Sequence, residues 1–235
     1  MARLFEELGG EIHYDSPVSE IMTENKQVKG VMVKDKLHEA PYVVCNADFP
    51  YAMTELIKSP EVRGKYSADK INSMEYSCSC LVFYWGIDGT FPDVHTHCFI
   101  ISEDLKDNLE SIFDGRMIKH PSIYLHIPSQ TDPSMATEGK SSFYVLLPVS
   151  ECVTAQYEWN DETVKGYRQK AIASLSKLPG MSDIEKKITT ELIFTPKDFE
   201  SRFSAYRGAT FGLQPTLRQS NHLRPQAKSM ECEGL

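Results

Sequence analysis

Thr195-Pro-Lys-Asp-Phe-Glu-Ser-Arg-Phe-Ser-Ala-Tyr-Arg-Gly-Ala-Thr-Phe-Gly-Leu-Gln-Pro215, running on through Leu217-Arg-Gln-Ser220 to Arg224-Pro225, orders the reading of this 235-residue chain. Thr195-Pro196 is a helix-start signal: the hydroxyl can cap, and proline is tolerated in the first turn. Asp198 and Glu200 follow where the helix dipole favours negative charge. Phe199, Phe203 and Tyr206 fall at i, i+4 and i+7, which predicts one aromatic stripe on a short helix ended by Gly208. Beyond it, Phe211-Gly-Leu213 lies in an apolar loop flanked by arginines, a composition suited to a cofactor or an apolar ligand.

Working outward, a helix is predicted over Ala2–Leu8 with Leu4, Phe5 and Leu8 inward, stopped by Gly9-Gly10. Strands are predicted over Glu11–Tyr14, Val18–Met22 and Gln27–Lys34, the last two joined by a tight turn at Asn25-Lys26. Tyr42–Cys45 reads as a buried strand leading into Asn46-Ala-Asp48. A helix around Tyr51–Lys58 and a charged stretch, Glu61–Lys70, form a linker. After it come strands over Ser79–Gly86, His97–Ser102, Ser122–Ile127 and Ser142–Pro148, then a helix from Asp161 to Leu178. Pro179-Gly180 ends that helix, and Ile184–Phe194 fits either helix or strand. Four strands with flanking helices predict a mixed α+β sheet domain.

Composition narrows the function. A net charge of −8 argues against a nucleic-acid binder, which would carry a basic face. No apolar run approaches the ~18 residues of a spanning helix. Met1-Ala-Arg-Leu-Phe-Glu-Glu lacks the apolar core of a signal peptide, so a cytoplasmic or peripheral location is expected. Six cysteines (45, 78, 80, 98, 152 and 232) match no disulfide framework and read as free thiols.

Several side chains have an ordinary structural role that competes with a functional one. His95 and His97 would share one face of a strand, as metal ligands do, but no third ligand follows with suitable spacing. Cys78 and Cys80 lack a thioredoxin-like surrounding pattern and read as small packing residues. His126, within a strand, reads as structural. His222, in the arginine-containing loop, is a candidate for a place near substrate.

Several short motifs occur together in one order. They are Leu4-Phe-Glu-Glu-Leu-Gly-Gly10, Cys45-Asn-Ala-Asp48, Ser77-Cys-Ser79 with Phe83-Tyr84, and Pro128-Ser129 with Thr131-Asp-Pro-Ser134 and Glu138-Gly139. Tyr144-Val-Leu146 with Pro148-Val149 and the 195–225 block complete the set. In this combination the chain resembles the bacterial-type phytoene desaturases, flavin-dependent enzymes of carotenoid synthesis. The resemblance implies an α/β fold: the end of a Rossmann-type FAD domain over residues 1–50, a mixed-sheet substrate domain over 51–200, and a return segment over 201–235. It implies FAD as cofactor, with Val18, Asn46, Asp48 and Arg224 toward the flavin. It implies a long polyene lipid substrate lined by Tyr206, Phe211, Leu213 and His222, and peripheral membrane contact. Phe199 and Phe203 are expected in the core. A carotenoid isomerase, another desaturase or an amine-oxidase-like enzyme would share this fold. The Gly-x-Gly-x-x-Gly turn that cradles the dinucleotide pyrophosphate does not occur in the sequence, nor does the family's glycine-rich C-terminal motif. The chain is therefore expected to be a central-to-C-terminal portion of a desaturase, roughly half its usual length and inactive alone, the non-enzyme alternative being an inactive lipid-binding fragment.

Overall fold

Strand β4, Ser79–Asp88, organises the larger of two units in the computed structural model, which describes residues 1–235. That unit spans Glu75–Gln219 and is built on an antiparallel sheet ordered β5-β6-β7-β4-β8, with β5 His97–Ile100, β6 Ile123–His126, β7 Lys140–Val149 and β8 Ile188–Phe194. β4 pairs with β7 along its whole length, Ser79 opposite Val149 and Asp88 opposite Lys140. On its other side it pairs with β8, Val82 opposite Phe194 and Gly86 opposite Thr190.

The strict alternation of these strands separates the two faces of the sheet. Phe83, Trp85 and Ile87 of β4, Leu125 of β6 and Phe143, Val145 and Leu147 of β7 are buried in one cluster. Each such side chain contributes about 1.5–3 kcal/mol on leaving water. Helix α6, Asp161–Leu175, belongs to this cluster through Tyr167, Ala171 and Leu175, and helix α5, Leu105–Asp114, through Ile112. The Tyr167 hydroxyl accepts a hydrogen bond from the Ile118 amide at 3.1 Å, so the buried phenol is satisfied.

Helix ends follow local chemistry. The Asn160 side chain accepts from Thr163 N at 3.0 Å at the start of α6, and the Asp104 carboxylate accepts from Asp107 N at 2.9 Å at the start of α5. Gly115 ends α5 with φ of 77°, and a Cβ there would sit 1.9 Å from the Thr154 carbonyl oxygen, so only glycine fits. α8, Pro196–Phe203, carries a full capping box between Thr195 and Asp198. The two ends of this unit are tied together. Glu75 N donates to Gln219 Oε1 at 3.0 Å, and Gln219 Nε2 donates back to Glu75 O at 2.8 Å.

The second unit combines Met1–Met74 with Ser220–Leu235. α1, Ala2–Glu7, precedes a meander of β1 Val18–Glu24, β2 Gln27–Val33 and β3 Lys36–Glu39. Asn25 and Lys26 turn between β1 and β2 with φ of 51° and 59°, the left-handed pair that a two-residue hairpin needs. Short helices follow: α2 Phe49–Tyr51 running into a π-turn over Ala52–Leu56, α3 Pro60–Arg63 and α4 Ala68–Asn72. Ile21 and Val28 of the meander cluster with Ala52, Leu56, Ile57, Val62 and the C-terminal Cys232. The C-terminus pairs in parallel with β2: Val28 N donates to Glu233 O at 3.0 Å, and Val43 N to Gly234 O at 2.8 Å.

Several expectations are corrected. Glu11–Tyr14 and Tyr42–Cys45 are not strands, and Tyr42 and Val44 are exposed, because the sheet closes on β3, a strand the sequence reading lacked. Leu4, Phe5 and Leu8 are exposed rather than inward. The charged stretch 61–70 is mostly helical, and Val62 is buried in the smaller core. α6 stops at Leu175, and α5 was not foreseen. Ile184–Phe194 divides into helix α7, Ile184–Lys187, and edge strand β8. The unit boundary falls after Met74 rather than at 50, and residues 201–219 belong with the sheet.

Candidate functional site

Helices α5 and α6 pack on one face of the five-stranded sheet; the other face carries rings. Register brings Leu192, Tyr84, Tyr144, His126 and His97 into one row across β8, β4, β7, β6 and β5. The next row is Phe194, Val82, Leu146, Tyr124 and Phe99. Neighbouring rings touch along this face: Tyr84 lies 5.3 Å from Tyr144 and 5.6 Å from Phe194, and Tyr124 lies 6.0 Å from Tyr144 and 4.9 Å from Phe99. α8 extends the band, with Phe199 and Phe203 at 5.9 and 6.1 Å from Phe194. Four strand spacings of about 4.8 Å make the row about 19 Å long.

This band is open. Phe99 is 71% exposed and Phe203 60%. A contiguous apolar surface of this kind marks a binding face. Over its middle lies a cavity of ≈ 590 Å³, whose lining includes Tyr84, Tyr144, His126 and Leu192, Gly86 and Ser142 from the adjoining row, and Pro128 and Met135. Gly86 keeps that row low, since a Cβ there would meet the Thr190 hydroxyl at 2.4 Å.

The polar groups on the face are held uncharged. Burial pushes the Tyr144 phenol up to about 12 and raises that of Tyr84. Burial and the adjacent His97 push the His126 imidazole below its ordinary value, so it is neutral at pH 7. His97 stacks on His126 with ring centres 4.4 Å apart, and its Nδ1 lies 2.8 Å from the Tyr124 hydroxyl. His97 thus has ring partners on the sheet, and the strand that carries it lies at an edge. Cys78 packs against the core, and Cys80 Sγ lies 3.6 Å from Thr210 Oγ1. Burial raises both thiols, Cys80 to about 11, which keeps them protonated and unreactive.

The remaining candidates separate. Tyr206 lies beyond α8 in a 3₁₀ turn over Tyr206–Gly208, so the foreseen three-ring helical stripe is broken after Phe203 by the left-handed Ser204. Its ring meets Tyr76 at 5.3 Å, and the Arg207 guanidinium covers both rings. Leu213 bridges to Tyr76, while Phe211 is exposed. Phe203, expected in the core, is on the open band instead. In the other unit, Val18 opens β1 opposite Val33, Asp48 precedes α2, and Asn46, His222 and Arg224 are exposed. Binding a flavin dinucleotide requires a helix N-terminus reached through a glycine turn from a strand. α1 opens directly after Met1, and α2, α3 and α4 are single turns with no such turn before them. The residues present therefore build no pyrophosphate cradle, and Val18, Asn46, Asp48 and Arg224 fit at most the periphery of such a cofactor.

The ring face depends on which strands pair and so is not legible in the sequence alone, although Phe83-Tyr84 and Tyr144 belong to the motifs that carry the resemblance. Comparison with known proteins fits this architecture. The chain is 34% identical over 239 residues to a 4,4'-diapophytoene desaturase (4,4'-diaponeurosporene-forming) of Staphylococcus haemolyticus, aligning 100% of this chain with 48% of that protein. It is 36% identical over 240 residues to the enzyme of the same name from Staphylococcus aureus strain Newman, with the same coverage. The chain thus spans about half the length of these curated relatives. A crystal structure of an oxidoreductase from Methanosarcina mazei superposes with a TM-score of 0.53 at 15% identity, covering 82% of this chain and 40% of that one, a likeness of fold. The family described as flavin containing amine oxidoreductase matches residues 1–235, and the chain belongs to that family.

Proposed function

We propose that the protein of which these residues form part is an FAD-dependent desaturase acting on a long polyene lipid of the carotenoid class. The observation that carries the proposal is the open aromatic band, joined to the likeness to diapophytoene desaturases. When bound, FAD supplies the hydride acceptor that turns a C–C single bond into a double bond. This chain supplies a wall: flat rings that hold a flat chain, and tyrosines kept neutral so that no charge must be desolvated against hydrocarbon. Val18, Asn46, Asp48 and Arg224 on one unit are assigned to the rim of the flavin site. Tyr206, Phe211 and Leu213, all of the sheet unit, are assigned to the outer substrate passage.

Peripheral membrane contact belongs to the same proposal. No helix is long and apolar enough to cross a membrane, but Leu105, Leu109, Phe113 and Met117 recur every four residues on exposed positions of α5 and just after it. Co-sedimentation with lipid vesicles, lost in Leu109→Glu/Phe113→Glu, checks that part.

The activity is tested by expressing the uninterrupted reading frame that contains this chain in bacteria producing 4,4'-diapophytoene. The expected result is new visible absorption from a longer conjugated system. A flavin-loaded protein that leaves the precursor unchanged refutes the proposal.

A further inference from the structure

Apolar residues recur on exposed positions of the segment that follows β5. Ile101 comes first, then Leu105, Leu109 and Phe113 of α5, and Met117 just beyond it, each four positions after the last. Within a helix, residues four apart lie along one side. Leu105, Leu109 and Phe113 are about half exposed, whereas Asn108, Ser111 and Ile112 of the same helix are buried. Folding of the sheet unit thus leaves one apolar side of α5 in water, although such side chains gain by leaving it. The stripe follows directly on β5, whose exposed Phe99 ends one of the ring rows of the sheet face. An apolar stripe that continues from a hydrocarbon-binding wall suits a lipid phase better than the patterned surface of another protein.

The charges beside the stripe decide which lipid surface it suits. Interfacial helices held by anionic lipid carry Lys and Arg on their polar side. Residues 101–120 carry five carboxylates instead, Glu103, Asp104, Asp107, Glu110 and Asp114, against the three fixed cations Lys106, Arg116 and Lys119, with His120 at the end. Two of those cations are already engaged. Arg116 reaches Asp107 at 3.0 Å and Asp114 at 3.4 Å, and Lys106 reaches Glu110 at 3.7 Å. The Asp104 carboxylate accepts from Asp107 N at 2.9 Å and caps the helix. Lys119 remains to meet a lipid phosphate, and Glu103 and Asp104 outweigh it.

We propose that the α5 stripe inserts into a bilayer whose surface carries no net charge, and that anionic lipid weakens this contact instead of creating it. The proposal rests on the reading of peripheral membrane contact given above and adds to it the class of headgroup. Apolar area then drives the binding, and salt leaves it in place.

The test is co-flotation of the 235-residue chain with vesicles of phosphatidylcholine alone and of phosphatidylcholine mixed with phosphatidylglycerol. Partitioning into phosphatidylcholine should change by less than about twofold between low and high salt. Partitioning into the mixture should be about 3- to 10-fold weaker at low salt and recover at high salt. Leu109→Ser/Phe113→Ser should weaken phosphatidylcholine binding by about 10-fold or more. Glu103→Lys/Glu110→Lys changes two exposed positions outside the core and should reverse the preference at low salt, with phosphatidylcholine affinity kept within about twofold. Binding that requires phosphatidylglycerol and is dissolved by salt overturns the headgroup assignment while membrane contact stands. An unchanged preference in the charge-reversed variant puts the contact on another surface and also overturns the proposal. Absence of partitioning into either vesicle overturns the membrane contact itself. In that case a dimer in sedimentation, dissolved by Leu109→Ser/Phe113→Ser, would assign the stripe to a second copy of the chain.

Discussion

Phe143 and Phe99 sit in the same sheet and face opposite ways, and truncating each to alanine measures whether one face is bare. Phe143 is 2% exposed and packs edge-on to Phe91 at 5.3 Å. A phenylalanine hides about 200 Å² when fully buried, which at ~25 cal/mol per Å² is about 5 kcal/mol. Measured Phe→Ala costs in cores, about 3–5 kcal/mol, agree, so about 4 kcal/mol is expected. Phe99 is 71% exposed and hides under a third of its surface. The same reckoning gives about 1.5 kcal/mol. At about 3 °C per kcal/mol for a unit of this size, Phe143→Ala should lower the Tm of the sheet unit by about 12 °C and Phe99→Ala by about 4 °C. Circular dichroism melts, paired with urea midpoints at unchanged slope, read both values. If Phe99→Ala costs as much as Phe143→Ala, the outer face is covered in the folded chain, and the argument for a bare binding wall fails.

Further outcomes follow from the same structure. Burial raises Tyr144 to about 12 and lifts Tyr84 and Tyr167 as well, while unfolded tyrosines ionise near ~10. The unfolded state therefore binds fewer protons in that window. Stability should be level below pH ~10 and fall as pH rises toward about 12, read by denaturant melts against pH. Thr195→Ala deletes one half of the α8 capping box and should cost about 1 kcal/mol, whereas Thr195→Ser should restore most of it. The chain incubated with FAD and dialysed should keep no stoichiometric flavin, because no helix N-terminus here is reached from a strand through a glycine turn. A retained flavin spectrum would show a phosphate site made of other groups.

Local chemistry was legible where a few neighbouring residues decide the outcome. Thr195-Pro196 with Asp198 specified the start of α8, and Asn25-Lys26 specified the hairpin, because caps and two-residue turns are settled within four or five positions. Tyr42–Cys45 misled because an apolar run says that burial is available but not which partner supplies it. Here only Val43 and Cys45 pack against the small core, and Tyr42 and Val44 face solvent. β3 is exposed along its length and carries no apolar alternation to read. The site was the least legible part. Tyr84, Tyr144 and His126 lie far apart in sequence, and only the pairing register of β4, β7 and β6 sets them in one row.

The clamp between Gln219 and Glu75 bears on the order in which the chain folds during synthesis. Completing the smaller unit requires Gln27 to meet Glu233, 206 positions away, after the whole segment between them has left the ribosome. A loop of that length is slow to close. The sheet unit lies wholly within it, as one continuous segment whose ends are bonded to each other. Once that segment has folded, it counts as a short tether, and the remaining closure is eased by about 1 kcal/mol. The β1–β3 meander is then completed after the sheet unit, and its β2 waits with an unpaired stretch near Val28 until Glu233 arrives. A ribosome stalled short of Glu233 should therefore carry a protease-resistant sheet unit and a protease-sensitive N-terminal segment.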